Sequence, residues 1–112
     1  MRVLLISPPI KNLITTNIPK VVDLERGYNP PLGLLYLASY AQKYTNHKIE
    51  VLDTIVEELD YPGIEERIKE IKPDVVGIQA MSFTLIDALL CAKIVKRIDK
   101  HIPVVFGGPH PT

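Results

Sequence analysis

The residues able to do chemistry fall at the ends of apolar runs. Gly107-Gly108 directly follows Val104-Val105-Phe106. A glycine pair at the end of a buried strand lets a ligand approach the backbone closely, because no side chain intervenes. The same pair also serves a tight turn that needs positive φ, and the pair alone leaves both readings open. Gln79-Ala80-Met81-Ser82-Phe83-Thr84 places small and polar groups between a strand and a helix. Ser82 or Thr84 can cap that helix through the orphan amides of its first turn, and capping alone would account for them. Asp53, closing another apolar run, has the right chemistry for a ribose hydroxyl. The first run ends in Ser7-Pro8-Pro9 with no G-x-G-x-x-G, and proline has no N–H to offer a phosphate. That excludes an NAD or FAD site of the usual kind. The absence of G-x-x-x-x-G-K-[ST] likewise excludes a P-loop. His110 follows the glycine pair and can donate to a ligand or lie in a frayed terminus; one imidazole does not make a metal site. Cys91 sits in an apolar helical pattern and reads as core rather than nucleophile.

These residues need a scaffold. Val3-Leu4-Leu5-Ile6 has no alternation and reads as a strand buried on both faces of a parallel sheet. Residues 10–29 form a polar stretch without a period, and a loop of about 20 residues is usually functional or mobile. Asn29 or the pair Pro30-Pro31 can open a helix carrying Leu34, Leu37, Ala38 and Ala41 at helical spacing. Its tyrosines, Tyr36, Tyr40 and Tyr44, read as a half-buried stripe that can also cover a partner domain. Residues 48–53 read as a second strand. Residues 62–72 carry Ile64, Ile68 and Ile71 on one face and charge on the other, an amphipathic helix stopped by Pro73. A third strand over residues 74–79, a helix over 84–100 and a fourth strand over 103–106 complete the chain.

Strands alternating with helices imply an α/β fold, a parallel sheet with helices on both faces. Ligands in such sheets bind beyond the carboxyl ends of the strands. Segments 7–12, 53–55, 79–84 and 107–112 belong there, whereas His47 and His101 precede strands and belong to the opposite edge. A phosphoacceptor pocket needs acidic residues at the ends of strands one and three, and Ser7 and Gln79 are not acidic.

Composition narrows the function classes. The 112 residues make one domain, 46% hydrophobic and 23% charged, with 13 basic and 13 acidic residues. A balanced charge leaves no footprint for nucleic acid or an anionic membrane. No apolar run approaches the ~20 residues needed to span a bilayer, and the N-terminal run is too short for a signal-peptide core. The single cysteine rules out an internal disulfide or a cysteine cage for zinc or iron–sulfur, and a reducing cytoplasm is the expected compartment.

Taken together, Pro30-Pro31-Leu32-Gly33-Leu34-Leu35-Tyr36-Leu37-Ala38, Pro73-Asp74-Val75-Val76-Gly77 and Gly107-Gly108-Pro109-His110-Pro111-Thr112 are specific. With residues 3–9 and 51–53, they make the chain resemble the N-terminal cobalamin-binding domain of B12-dependent radical SAM enzymes. The resemblance implies a flavodoxin-like (Rossmann-like) three-layer sandwich over residues 1–112, with strand order 2-1-3-4 and normally a fifth strand. It implies cobalamin as cofactor, held at the carboxyl edge, with Gln79-Ala80-Met81 in the place of the S-x-L motif and Gly107-Gly108 in that of the G-G motif. The expected cofactor contacts are Gly107, Gly108, Gln79, Ser82, Ser7 and Pro8, then His110 and Asp53, and no residue is expected to be catalytic.

Two departures shape these expectations. Ser7-Pro8-Pro9-Ile10-Lys11-Asn12 stands where the D-x-H-x-x-G motif would supply a histidine to cobalt. The chain also has no C-x-x-x-C-x-x-C and no fifth strand. It is therefore expected to be a fragment of a longer enzyme, a radical SAM methyltransferase or cyclase whose 4Fe-4S cluster and S-adenosylmethionine belong to a following catalytic domain in cis. A fourth strand left at the sheet edge is expected to promote a homodimer. The alternative reading is a structural or docking module that keeps the fold and binds no corrinoid.

Overall fold

A computed structural model of the chain describes residues 1–11, 32–81 and 84–108. The 10–29 loop beyond Lys11, the helix start at Pro30-Pro31, Ser82 and His110 lie outside the described residues. The elements are β1 (Arg2–Ser7), α1 (Leu32–Tyr44), β2 (Lys48–Asp53), α2 (Tyr61–Ile71), β3 (Val75–Gln79), α3 (Leu85–Ile98) and β4 (Val104–Gly107). The four strands form one parallel sheet in the order β2-β1-β3-β4, the flavodoxin-like arrangement expected.

The two faces of the sheet are covered unequally. Leu4, Ile6, Leu52, Val76 and Ile78 point to one face and are fully buried against Ile64 and Ile68 of α2 and Ala88, Cys91 and Val95 of α3. Fully burying a side chain of this kind contributes about 1.5–3 kcal/mol, so this face carries most of the core. Helix α2 starts where the Asp60 carboxylate accepts a bond from the Gly63 amide at 2.9 Å. It ends at Lys72 in the left-handed region, followed by Pro73, which cannot continue a helix.

The other face departs from the expectation of strands buried on both sides. Val75 on β3 is only half-buried there and Val105 on β4 is exposed, because α1 packs over β1 and β2 and leaves β3 and β4 less covered; Val3 and Leu5 on β1 are also only half-buried. Within α1 only Leu34 and Ala38 are buried. Leu37, expected to face the core, is 60% exposed, and Tyr36, Tyr40 and Tyr44 are 75%, 67% and 62% exposed rather than half-buried. The cause is geometric: α1 is apolar around most of its circumference, and a sheet can cover only one stripe of a helix. The Tyr40 and Tyr44 rings lie 4.6 Å apart, and the Lys43 ammonium is 5.4 Å from the Tyr44 ring centre.

The two sheet edges also differ. Outer strand β2 carries Lys48 and Glu50, both exposed, and the Gln42 amide donates to the Ile49 carbonyl at 3.4 Å. Outer strand β4 carries no charge, and Val105 is 57% exposed.

Candidate functional site

Strand register gathers the expected ligand-facing residues. Ser7 pairs with Asp53 across β1 and β2, and Gln79 pairs with Gly107 across β3 and β4. Each is the last residue of its strand, so all four stand on the carboxyl edge. Alternation along a strand sends every second side chain to the same face. Ser7, Asp53, Gln79 and Gly107 therefore share the α1 face with Leu5, Val51, Gly77 and Val105.

Ser7 and Asp53 have local tasks at that edge. The Ser7 carbonyl accepts from the Thr54 amide at 3.3 Å and from the Thr54 hydroxyl at 2.7 Å, and Thr54 is buried. The Asp53 Oδ1 accepts from the amides of Ile55 and Val56 at 3.2 and 3.3 Å, which holds the turn leaving β2. Pro8 is buried behind Ser7. Thr84 occupies the N-cap position of α3 but makes no side-chain cap bond. Its hydroxyl turns back to accept from the Met81 amide at 3.2 Å, so the expected cap becomes a closure of the 81–84 turn.

The glycine pair divides into two roles. Gly108 has φ +104°, and a Cβ there would meet the Ala80 carbonyl oxygen at 2.8 Å. Its lack of a side chain is a requirement of the turn itself. Gly107 has no such requirement, since a Cβ there would meet nothing within 4 Å. Its missing side chain leaves open space at the carboxyl edge. The Ala80 amide donates to the Gly107 carbonyl at 2.7 Å and fixes the two segments together.

That open space is the end of a groove. Between α1 and the exposed half of the sheet lies a hollow of about 360 Å³, walled by Leu34 and Leu37 on one side and by Val75 and Val105 on the other. Gly33, Gly77 and Gly107 also line it, with Gln79 and Gly108 near the carboxyl edge. A Cβ on Gly77 would come within 2.8 Å of the Leu5 Cδ2, so the mid-strand glycine keeps the floor low. No charged side chain lines this hollow among the described residues, and Gln79 alone brings a polar side chain. Such a surface suits a flat, uncharged group, with one amide to donate or accept at its rim.

Sequence reasoning named Gln79, Gly107 and Gly108 but missed Gly33 and Gly77. An isolated glycine inside a buried strand was the available clue, because it marks a close approach. A second hollow, about 470 Å³, lies at the opposite edge and is lined by Arg2, Lys48, Glu50, Arg67 and Glu70. Its walls carry both signs of charge.

Cys91 is fully buried, and its thiol is pushed up to about 12, first by burial and then by the neighbouring negative charge of Asp87. It stays protonated and unreactive at neutral pH, as expected of a core residue. Among the described residues no three His, Cys, Asp or Glu side chains converge as metal ligands. His47 and His101 are exposed and precede β2 and β4, at the edge away from the groove. No helix among the described residues is long and apolar enough to cross a membrane.

Comparison with known proteins adds the following. The family described as the B12 binding domain matches residues 18–112. An uncharacterized methyltransferase of Pyrococcus horikoshii is 39% identical over 112 residues, which are all of this chain and 22% of that protein. The anaerobic magnesium-protoporphyrin IX monomethyl ester cyclase of Rubrivivax gelatinosus is 30% identical over 83 residues, 74% of this chain and 15% of the cyclase. The chain thus spans less than a quarter of the length of either relative. No solved structure matches it.

Proposed function

Because the chain belongs to the B12-binding domain family, we propose that it is a corrinoid-binding module and that the groove beneath α1 seats the apolar part of the cobamide tail. The observation that carries this reading is the groove itself: apolar, floored by Gly77 and opening at Gly107 onto the carboxyl edge. The residues fit the group. Gly107 lets the tail pass against the backbone, Gln79 offers an amide to its polar atoms, and the leucine and valine walls exclude water from its ring. Ser7, Pro8 and Asp53 stand along the same edge, where they border the corrin without lining the groove, and Ser82 and His110 are assigned there by motif position alone. When bound, cobalamin supplies methyl-transfer or related radical chemistry at cobalt. This chain's part is to bind and orient it. Ser7-Pro8-Pro9 stands where a histidine-bearing motif would offer an imidazole to cobalt.

The relatives' names support a wider reading. The module serves a longer protein of methyltransferase or cyclase type; the motif resemblance adds a radical SAM domain in cis that holds the 4Fe-4S cluster and S-adenosylmethionine. The single, unpaired Cys91 agrees with a cytoplasmic setting. Edge strand β4 lacks the charges that protect β2, so a second copy pairs there when the edge is free.

Titration of the purified chain with hydroxocobalamin, followed by visible spectra and calorimetry, tests the reading. Saturable one-to-one binding with a spectrum lacking a histidine-ligated form is expected. Absence of saturable binding overturns it and favours a docking module of the same fold.

A further inference from the structure

A buried carboxylate and a partly buried phenol meet outside the groove. Asp87 lies in the first turn of α3 and is fully buried. Tyr61 is the first residue of α2, and its hydroxyl donates to the Asp87 Oδ1. We infer that this bond is a latch between the two helix starts that positions Ala80 and Met81, and with them the rim of the groove; the inference rests on the corrinoid reading above.

A carboxylate is costly to bury unless donors surround it, and an apolar residue of similar size would pack as well for stability alone. The start of α3 favours an anion through the helix dipole, and the phenol adds a directional bond that apolar packing lacks. Tyr61 is itself well anchored, next to the Asp60 cap and one turn before the buried Ile64.

The contacts then lead from the latch to the groove. Helix α3 is reached from β3 through a turn in which the Thr84 amide donates to the Met81 carbonyl at 3.0 Å and the Met81 amide to the Thr84 hydroxyl at 3.2 Å. One residue earlier, Ala80 is tied to Gly107 by its amide and lies against Gly108. A shift of the α3 start therefore moves Ala80, and Ala80 sets where Gln79 and Gly107 present themselves. Tyr61 and Asp87 touch no ligand; they are positioning residues.

The test uses the full chain with Tyr61→Phe, which removes one hydroxyl and keeps the ring. Amide hydrogen exchange without ligand is read first, then hydroxocobalamin affinity. Protection over residues 79–88 should fall while that of the α2 amides near Ile68 stays. Affinity should fall about tenfold with unchanged stoichiometry, the ratio that 1.4 kcal/mol represents. Asp87→Asn keeps an acceptor for the phenol and should stay close to the unsubstituted chain in both readouts, whereas Asp87→Leu removes it and should lower both at least as far as Tyr61→Phe. Exchange that rises uniformly along the chain, or stays unchanged, overturns the latch. Local loosening with unaltered affinity overturns its positioning role. If the unsubstituted chain binds no corrinoid, the reading of the preceding subsection fails, and the latch is then judged by local exchange alone.

Discussion

Gly108 packs so closely on Ala80 that a Cβ at position 108 would stand 2.8 Å from the Ala80 carbonyl oxygen, at a φ of +104°. Its neighbour Gly107 faces open space. Two adjacent glycines thus serve different ends, one the turn and the other access to the edge.

Substitution separates them. Gly108→Ala should destabilise the chain by about 1–3 kcal/mol, read as a lowered urea midpoint, because both backbone conformation and contact oppose the methyl group. Gly107→Ala should stay within about 0.5 kcal/mol of the unsubstituted chain. Gly107→Leu should retain the fold and lose hydroxocobalamin affinity in the calorimetric titration. Equal affinity for Gly107→Leu and the unsubstituted chain would remove the groove mouth from the site.

Gly77 controls the depth of the groove. Gly77→Val sets a branched side chain where even one methyl would press on Leu5, and overpacking of this kind costs about 1–3 kcal/mol. Leu5 must then swing into the hollow. Corrinoid binding should weaken by more than the loss of stability explains, as read by titrating below the melting range. Unchanged affinity would place the tail elsewhere.

The pH dependence of stability follows from Cys91. Its folded pKa is raised to about 12 from the ordinary 9.0, chiefly by burial. Below pH 9 the thiol is protonated in both states and its contribution is fully present. Between pH 9 and 12 the unfolded chain releases a proton that the folded chain keeps, so stability falls as pH rises, by up to about 1.4 kcal/mol per pH unit. Cys91→Ala should flatten that part of a melting-temperature profile. In the native chain at pH 8 the thiol should resist alkylation until denaturant is added.

Association should follow β4. Val105→Lys puts a charge on the unprotected edge, where Val105 is 57% exposed, and should shift a dimer to monomer in light scattering. The equivalent change at Val56, exposed but off the sheet edge, should leave association unaltered. A monomer at all concentrations before substitution would sink the pairing.

Much of the architecture was legible in residue order. Unbroken apolar runs such as Val3-Leu4-Leu5-Ile6 mark parallel strands, the Ile64, Ile68 and Ile71 spacing marks α2, and Pro73 marks its end. These features are local, so the chain's own chemistry states them. The strand order and the site motifs were legible only through resemblance to a family.

The sequence alone therefore determined the elements, their parallel arrangement and the placement of Ser7, Asp53, Gln79 and Gly107 at strand ends. Tertiary structure decided what each could do there. Register put those four on one face, and unequal helix cover left that face with a groove floored by Gly77. Packing against Ala80 distinguished Gly108 from Gly107, and the meeting of two helix starts gave Asp87 a phenol from 26 residues away. Such relationships join residues far apart along the chain, and no periodicity within a single segment can encode them.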